Sequence, residues 1–441
     1  MTIFSRARRQ SMERPGALLL AACLTLNAAV PAWASESVPT VSLTGLLEET
    51  LRVNPELRSA KTRWEAAQAR VAKATGLPAP RIGIELEEIP RGSLKVNQAT
   101  VMYQLIQAIP FPGKLSLRKQ VAVKDAQVAA MAFKQAEWEV LGQLKDAYYE
   151  LFLIDRNLEI KQQQLAWLKQ TAAVAQSRYA TGTTSQAEVL QAQSELIETP
   201  AQIAVLEQRR QAMVAHVNHL LNRHAHAPLG APEPLTLQPI ALSPGELWLM
   251  AQEHQPELLA FRYVAERAEA EWKLARRELW PDLGTMIELR DPAMGPIGPW
   301  DLTLALVLPF WFWTKQRYGV KAALYDKDSA NEAYQAMANE VTKRIHEHWH
   351  EAWGAYQMAK LSSEGLIPLG RQAVTSALAA YQGGRGSFME LLETLRGLAE
   401  REQAYYQALV ELEQHVAMLE QASGTPLRRT HETSRTASNP R

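Results

Sequence analysis

Five consecutive residues, His346-Glu347-His348-Trp349-His350, hold the one stretch of this chain that spells a known catalytic pattern. H-E-x-x-H on a helix sets two imidazoles, here His346 and His350, one turn apart on one face. They can hold zinc while the glutamate, here Glu347, acts as general base. A metallopeptidase needs that helix short, beside a cleft and completed by a third ligand. Here the motif falls inside a helical segment from about Lys315 to Gln382, where Ile345, Trp349, Trp353 and Tyr356 supply a packing stripe. The matching segment of the first half, Leu144 to Tyr149, holds no histidine. An enzyme is therefore not expected. Metal contact by His346 and His350 is the chemistry the motif leaves open, beside plain solvated helix surface.

Other chemistry is narrowed further. His224 and His226 precede a linker and read as solvated surface in the same way. Cys23 is the only cysteine and lies in the N-terminal hydrophobic stretch. A structural disulfide is thereby excluded, and a cysteine-based zinc site or thiol nucleophile with it. Nothing matches G-x-x-x-x-G-K-[ST], so no ATP-binding loop and no cofactor are expected. Lysine plus arginine equals aspartate plus glutamate at 47 each, a balance that argues against a nucleic-acid partner.

The elements that would carry these residues are long. Lys114 to Ala180 runs for 67 residues with no proline and one glycine, Gly142. Most globular helices stop after about 8–20 residues, whereas this one would extend about 100 Å. Leu144, Leu151, Leu158, Leu165, Ala172 and Tyr179 recur every seven residues, with Val140, Ala147, Ile154, Leu168 and Ala175 beside them. That is a coiled-coil seam, and its 3.5-residue period implies left-handed supercoiling. Such a helix belongs to a rod, a bundle or a tube.

The N-terminus reads as an export signal at 1–34. Arg6, Arg8, Arg9 and Arg14 precede an apolar run from Gly16 to Val30, and Ala32-Trp33-Ala34 supplies the cleavage site. The alternative is Leu20-Ala21-Ala22-Cys23, which resembles a lipobox and would put a lipid on Cys23. After Pro31 no apolar run approaches the ~20 residues of a spanning helix.

Length alone, 441 residues, suggests two or three domains. The landmarks suggest a tandem duplication instead. Asn54-Pro55-Glu56-Leu57 returns as Gln255-Pro256-Glu257-Leu258 and Pro80 as Pro281, both at an offset of 201. Ile109-Pro110-Phe111 returns as Leu308-Pro309-Phe310 at 199, and Tyr179, Gly182, Ser185 and Leu190 as Tyr381, Gly384, Ser387 and Leu392 at 202. The first repeat is expected over 35–229, with strands at about 81–89 and 100–108, the long helix at 114–180 and a return helix at 185–223 interrupted by Pro200. A proline-rich linker covers 230–244. The second repeat, 245–424, has strands at about 283–290 and 301–308, a long helix at 315–382 and a return helix at 387–422. A disordered tail is expected over 425–441.

The strands decide the architecture. Ile82, Ile84 and Leu86 alternate with Gly83, Glu85 and Glu87, and Leu302, Leu304, Leu306 and Leu308 with Asp301, Thr303, Ala305 and Val307. One apolar and one polar or small face, with Phe111, Phe310, Trp311, Phe312 and Trp313 where strands end, is the outer-membrane strand pattern with its aromatic girdle. Open sheet edges are not tolerated in lipid, and the smallest bacterial barrels have eight strands, so more than one chain must share a barrel. Dimers, trimers and tetramers all meet that requirement. Two soluble hairpins packed on the helices are the alternative.

These landmarks, from about Val41 to Gly424, resemble the TolC family of outer-membrane efflux proteins. The carriers are Asn54 to Leu57, Ile109-Pro110-Phe111-Pro112-Gly113-Lys114, the tip Arg178 to Ser185 and its second copy Tyr381 to Ser387. Phe-Pro-Gly-Lys after the second strand is most like the cation-efflux branch, the CzcC/CusC-like proteins. The resemblance implies a mainly α fold with a small β part. A duplicated helix–strand–strand–helix unit would place long coiled-coil helices in an α-barrel, and four strands per chain would join a shared 12-stranded transmembrane β-barrel in a homotrimer. It implies an exit duct in the outer membrane, docked on a periplasmic adaptor and an RND-type inner-membrane pump. The duct would passively conduct substrate, heavy-metal cations for the branch named. Tyr179, Gly182, Ser185, Tyr381, Gly384 and Ser387 would lie at or beside the adaptor contact, besides capping helices. Some relatives close the tip with acidic side chains, but Ala373 to Ala380 holds no acid. Alternatives are a multidrug or protein-secretion duct of the same build, or a periplasmic coiled-coil scaffold without transport.

Overall fold

The computed structural model describes residues 40–87, 100–290 and 300–428. The expected signal at 1–34, Cys23, the loop through Arg91-Gly92-Ser93, the loop Asp291–Pro299 and tail residues 429–441 lie outside the described residues. In order the elements are β1 (Thr40–Val41), α1 (Leu43–Val53), α2 (Pro55–Thr75), β2 (Arg81–Glu87), β3 (Thr100–Ile109), α3 (Lys114–Ala180), α4 (Gln186–Leu220) and β4 (Ala231–Pro232). The second half gives α5 (Pro244–His254), α6 (Pro256–Arg277), β5 (Asp282–Arg290), β6 (Trp300–Val307), α7 (Arg317–Leu361), α8 (Ile367–Gln382) and α9 (Phe388–Ser423).

The repeated Asn/Gln-Pro-Glu-Leu landmarks are helix caps. Asn54 Oδ1 accepts from the backbone N–H groups of Glu56 at 2.8 Å and Leu57 at 3.2 Å, and its amide donates to Leu220 O at 3.0 Å. Gln255 plays the same part for α6 by accepting from the Leu258 N–H. The proline that follows each is tolerated because the first helical N–H has no partner within the helix.

α3 spans 67 residues, about 100 Å at the helical rise. Its burial is widest at mid-length. There Leu144, Tyr148, Phe152 and Leu153 join Leu46 of α1, Val217 and Leu220 of α4, and Leu409 and Val410 of α9 in one core. The heptad seam holds over only part of this length. Leu144, Leu151 and Leu158 are buried, but Leu165 and Ala172 are half-buried and Tyr179 is exposed. Beyond Leu158 the buried positions become Ile160, Gln164, Leu168, Thr171 and Ala175. The rod is enclosed by several elements at its middle and packs on fewer toward its end, so no single heptad stripe describes it.

Two expected interruptions resolve differently. α4 runs through Pro200 without a break. Pro200 lies on the exposed side, where water can take the carbonyl its ring leaves unbonded. The second long rod, expected as one helix over 315–382, is divided by a π-helical turn at Ser362–Leu366. Pro368 follows within the first turn of α8, and the wider turn accommodates a residue that cannot donate to the turn before it. A second π-turn, Phe312–Gln316, opens α7.

The four long strands form one antiparallel sheet in the order β2-β3-β5-β6, so the two halves join through β3 and β5. Register sets Ile82, Leu105, Ile287 and Leu302 in one row and Ile84, Tyr103, Leu289 and Trp300 in the next, all on one face. The other face carries Gly83, Gln104, Glu288 and Asp301 in a row.

The described chain continues past the expected end of order. Thr425–Arg428 are fixed rather than loose, because Glu420 accepts from the N–H groups of Leu427 at 2.8 Å and Arg428 at 3.1 Å. The Arg428 guanidinium also donates to the buried Glu413 at 2.8 Å. A polar composition read as tail is thus drawn in by carboxylates on α9.

Candidate functional site

The helix ends farthest from the sheet come together as a pair of tips. α3 closes when Thr183 N–H reaches Arg178 O at 2.9 Å and Gly182 N–H reaches Tyr179 O at 3.0 Å. Gly182 there takes φ 68°. α8 closes identically in kind, with Arg385 N–H to Ala380 O at 2.9 Å and Gly384 at φ 75°. This left-handed backbone is one that glycine adopts without the penalty a side chain would bring. Ser185 and Ser387 then cap the returning helices, their hydroxyls accepting from Glu188 N at 3.4 Å and Glu390 N at 3.1 Å.

Arg178 locks the two tips side by side. Its guanidinium donates to Tyr381 O at 3.2 Å and lies over the Tyr381 ring, 5.0 Å from the centroid. Tyr381 in turn meets Phe388 edge-on at 6.0 Å. The six residues expected at the tips divide by exposure. Tyr179, Gly182, Ser185, Gly384 and Ser387 are exposed, whereas Tyr381 is 0% exposed. Burial pushes the Tyr381 hydroxyl above its ordinary range, so it stays neutral and packs as a support under the tip. Duplication put a tyrosine at both positions, and the asymmetry between them was not readable from sequence.

At the opposite end the sheet stands bare on its apolar side. Ile82 is 82% exposed, and Ile84, Tyr103, Leu105, Leu304 and Leu306 are exposed with it. Scattered exposed apolar residues are ordinary, but a continuous face of this kind marks a surface meant for a partner or for lipid. The reverse face is polar: Gln104 donates to Glu85 and, at 2.8 Å, to Glu288. Phe310, Trp311 and Trp313 are exposed where β6 ends, and Phe111 stacks on Trp280 at 5.1 Å. The strand-to-rod corner is pinned by Lys114, whose buried ammonium donates to Asp282 Oδ1 at 2.7 Å and Trp280 O at 2.8 Å. No helix among the described residues is long and apolar enough to cross a membrane.

His346 and His350 do lie on neighbouring turns, ring centroids 6.3 Å apart. Among the described residues no third ligand joins them. The one group of three among the described residues that could share an ion is His348, Glu351 and His415. No signal in the sequence pairs His348 with His415, since they sit on separate helices 67 positions apart. Burial, partly offset by Glu351, draws His415 below its ordinary range.

The sequence pattern of the outer membrane efflux protein family matches residues 46–223 and again 247–425. The chain belongs to that family. Across the family resemblance, the cobalt-zinc-cadmium resistance protein CzcC of Cupriavidus metallidurans is 20% identical over 400 residues, covering 90% of this chain and 93% of the relative. The outer membrane channel CmeC of Campylobacter jejuni has the same fold, with TM-score 0.75 at 14% identity over 96% of each chain. The outer membrane protein VceC of Vibrio cholerae matches at TM-score 0.74 and 17% identity, over 88% of this chain and 97% of its own. As a member of an efflux family, the protein is a transport component and not an enzyme, and within the H-E-x-x-H stretch His346, Glu347 and His350 are exposed.

Proposed function

We propose that three copies of this chain close their sheets into a twelve-stranded barrel in the outer membrane, continued by a helical tube toward the periplasm. The observation that carries this reading is the uncovered apolar face of a four-stranded sheet whose outer strands, β2 and β6, each leave an edge unpaired among the described residues. Lipid tolerates a closed barrel and not an open edge. Joining β6 of one copy to β2 of the next satisfies every edge, turns the apolar face to lipid and encloses the polar row. Four strands are too few for a barrel, and twelve lie within the range that outer-membrane barrels adopt.

The tube is a passive exit. Its tips, with Tyr179, Gly182, Ser185, Gly384 and Ser387 outward and Tyr381 beneath them, are the surface offered to a periplasmic adaptor, which couples the duct to an inner-membrane pump of the RND type. Heavy-metal cations are the cargo favoured by the likeness to CzcC, a cobalt-zinc-cadmium resistance protein. Fractionation and heat-resistant migration test the duct: a trimer in outer-membrane fractions is expected, and release into soluble periplasm would sink it. For the tips, Tyr179→Ala should leave the trimer intact and weaken capture of the adaptor. Deletion should sensitise cells to cobalt, zinc and cadmium. Unchanged metal tolerance with raised sensitivity to organic toxicants would move the cargo to the multidrug class.

A further inference from the structure

We propose that His348, Glu351 and His415 form a binding site for one divalent transition-metal ion of the zinc class, joining α7 to α9. His348 and Glu351 are three residues apart and share one side of α7, and His415 faces them from α9. His415 Nδ1 lies 3.3 Å from Glu351 Oε2, and His348 Nδ1 lies 3.6 Å from the same oxygen. Ligand atoms at zinc bond lengths of about 2.0–2.1 Å in a tetrahedron stand about 3.4 Å from one another. The two distances bracket that edge. The ring centroids of His348 and His415 are 5.6 Å apart, and one ligand atom from each of the three residues lies within 4.8 Å of the others.

The two nitrogens need a partner. Both Nδ1 atoms are shielded from solvent and neither makes a hydrogen bond. Buried polar atoms of this kind are rarely left unsatisfied without a reason, an ion among them. The donor set names the class. Two imidazoles and one carboxylate suit zinc, cobalt, nickel or copper, while calcium and magnesium call for oxygen ligands. Glu351 is exposed, which leaves the fourth position open to water. The site ties α7 of the second rod to α9, whatever the duct carries.

Zinc chloride titrated into the EDTA-stripped, detergent-solubilised full chain by calorimetry, with bound metal counted by mass spectrometry, tests this. One zinc per chain is expected in the unaltered protein. His415→Gln and His348→Gln should each weaken binding by more than the ~10–100-fold that loss of an outer-shell partner costs. His346→Gln with His350→Gln should retain zinc. Cobalt(II) should give the intense visible absorption of a tetrahedral ion, lost in His415→Gln, and helical circular dichroism establishes that each variant is folded. No retained zinc in the unaltered protein overturns the site. So does binding that survives both His348→Gln and His415→Gln, or that disappears only when His346 and His350 are changed. Each of these three results would leave the duct reading standing, because cargo and wall ion are measured separately.

Discussion

Single side chains fix the joints of this molecule. Tyr148 is buried in the mid-length core, its hydroxyl donating to Val41 O at 3.1 Å and accepting from Glu233 N at 2.8 Å. Tyr148→Phe keeps the ring and strands two backbone groups, so a loss of about 1–3 kcal/mol is expected in chemical denaturation. Burial pushes this hydroxyl from 10.0 up to about 12. A group raised on folding stabilises fully below its unfolded value, so this contribution should be complete below pH 10 and lost as pH rises through about 12. Alkaline melting curves should show that loss, and Tyr148→Phe should flatten it. At the sheet corner, Asp282→Asn takes the counter-charge from buried Lys114. Hydrogen bonds to charged groups contribute about 1.5–3 kcal/mol, and a trimer that dissociates at lower temperature is the expected reading.

At the scale of elements, caps and ends govern. α9 stops at Gly424, which takes φ 71° and would place a side chain 2.5 Å from the His254 backbone. Gly424→Ala should cost about 1–2 kcal/mol for the left-handed backbone and about 1–3 kcal/mol more for overpacking. A fall in melting temperature, with the tips unaffected, would show it. The same end is braced by Lys145 of α3 against buried Glu420, which also gathers Leu427 and Arg428. The expected tail was polar by composition, and composition could not show that buried carboxylates of α9, the helix it follows, would hold its first residues.

The whole molecule separates its tasks by distance. A rod of about 100 Å carries a sheet corner at Lys114 and, at Ala180, the tip proposed here as the adaptor surface, with the main core between them. Ile84 and Glu85 are neighbours in β2 that face opposite sides of the sheet. Ile84→Lys puts a charge on the proposed lipid face, costing ~2–4 kcal/mol near mid-bilayer, and should abolish heat-resistant trimer in outer-membrane fractions. Glu85→Lys, on the lumen face, should leave assembly intact. Equal effects from both substitutions would argue that the sheet is not in lipid.

Periodicity, caps and turn residues are local, which is why the sequence alone determined the long rods, the four alternating strands, the paired glycine-serine tips and the resemblance to an efflux family. Alternation in Arg81–Glu87 requires two unlike faces whatever packs nearby, and Gly182 marks a helix stop by its own conformation. Contacts across hundreds of residues are not local, and only tertiary structure decided them. It buried Tyr381 while leaving its counterpart Tyr179 exposed, moved the packing stripe off Leu165, and carried α4 through Pro200. It also brought His348 of α7 to His415 of α9, a pairing that spacing along one helix does not show. The reason is geometric: spacing along one helix sets which residues share its face, but the neighbour that face meets is set by how separate helices pack.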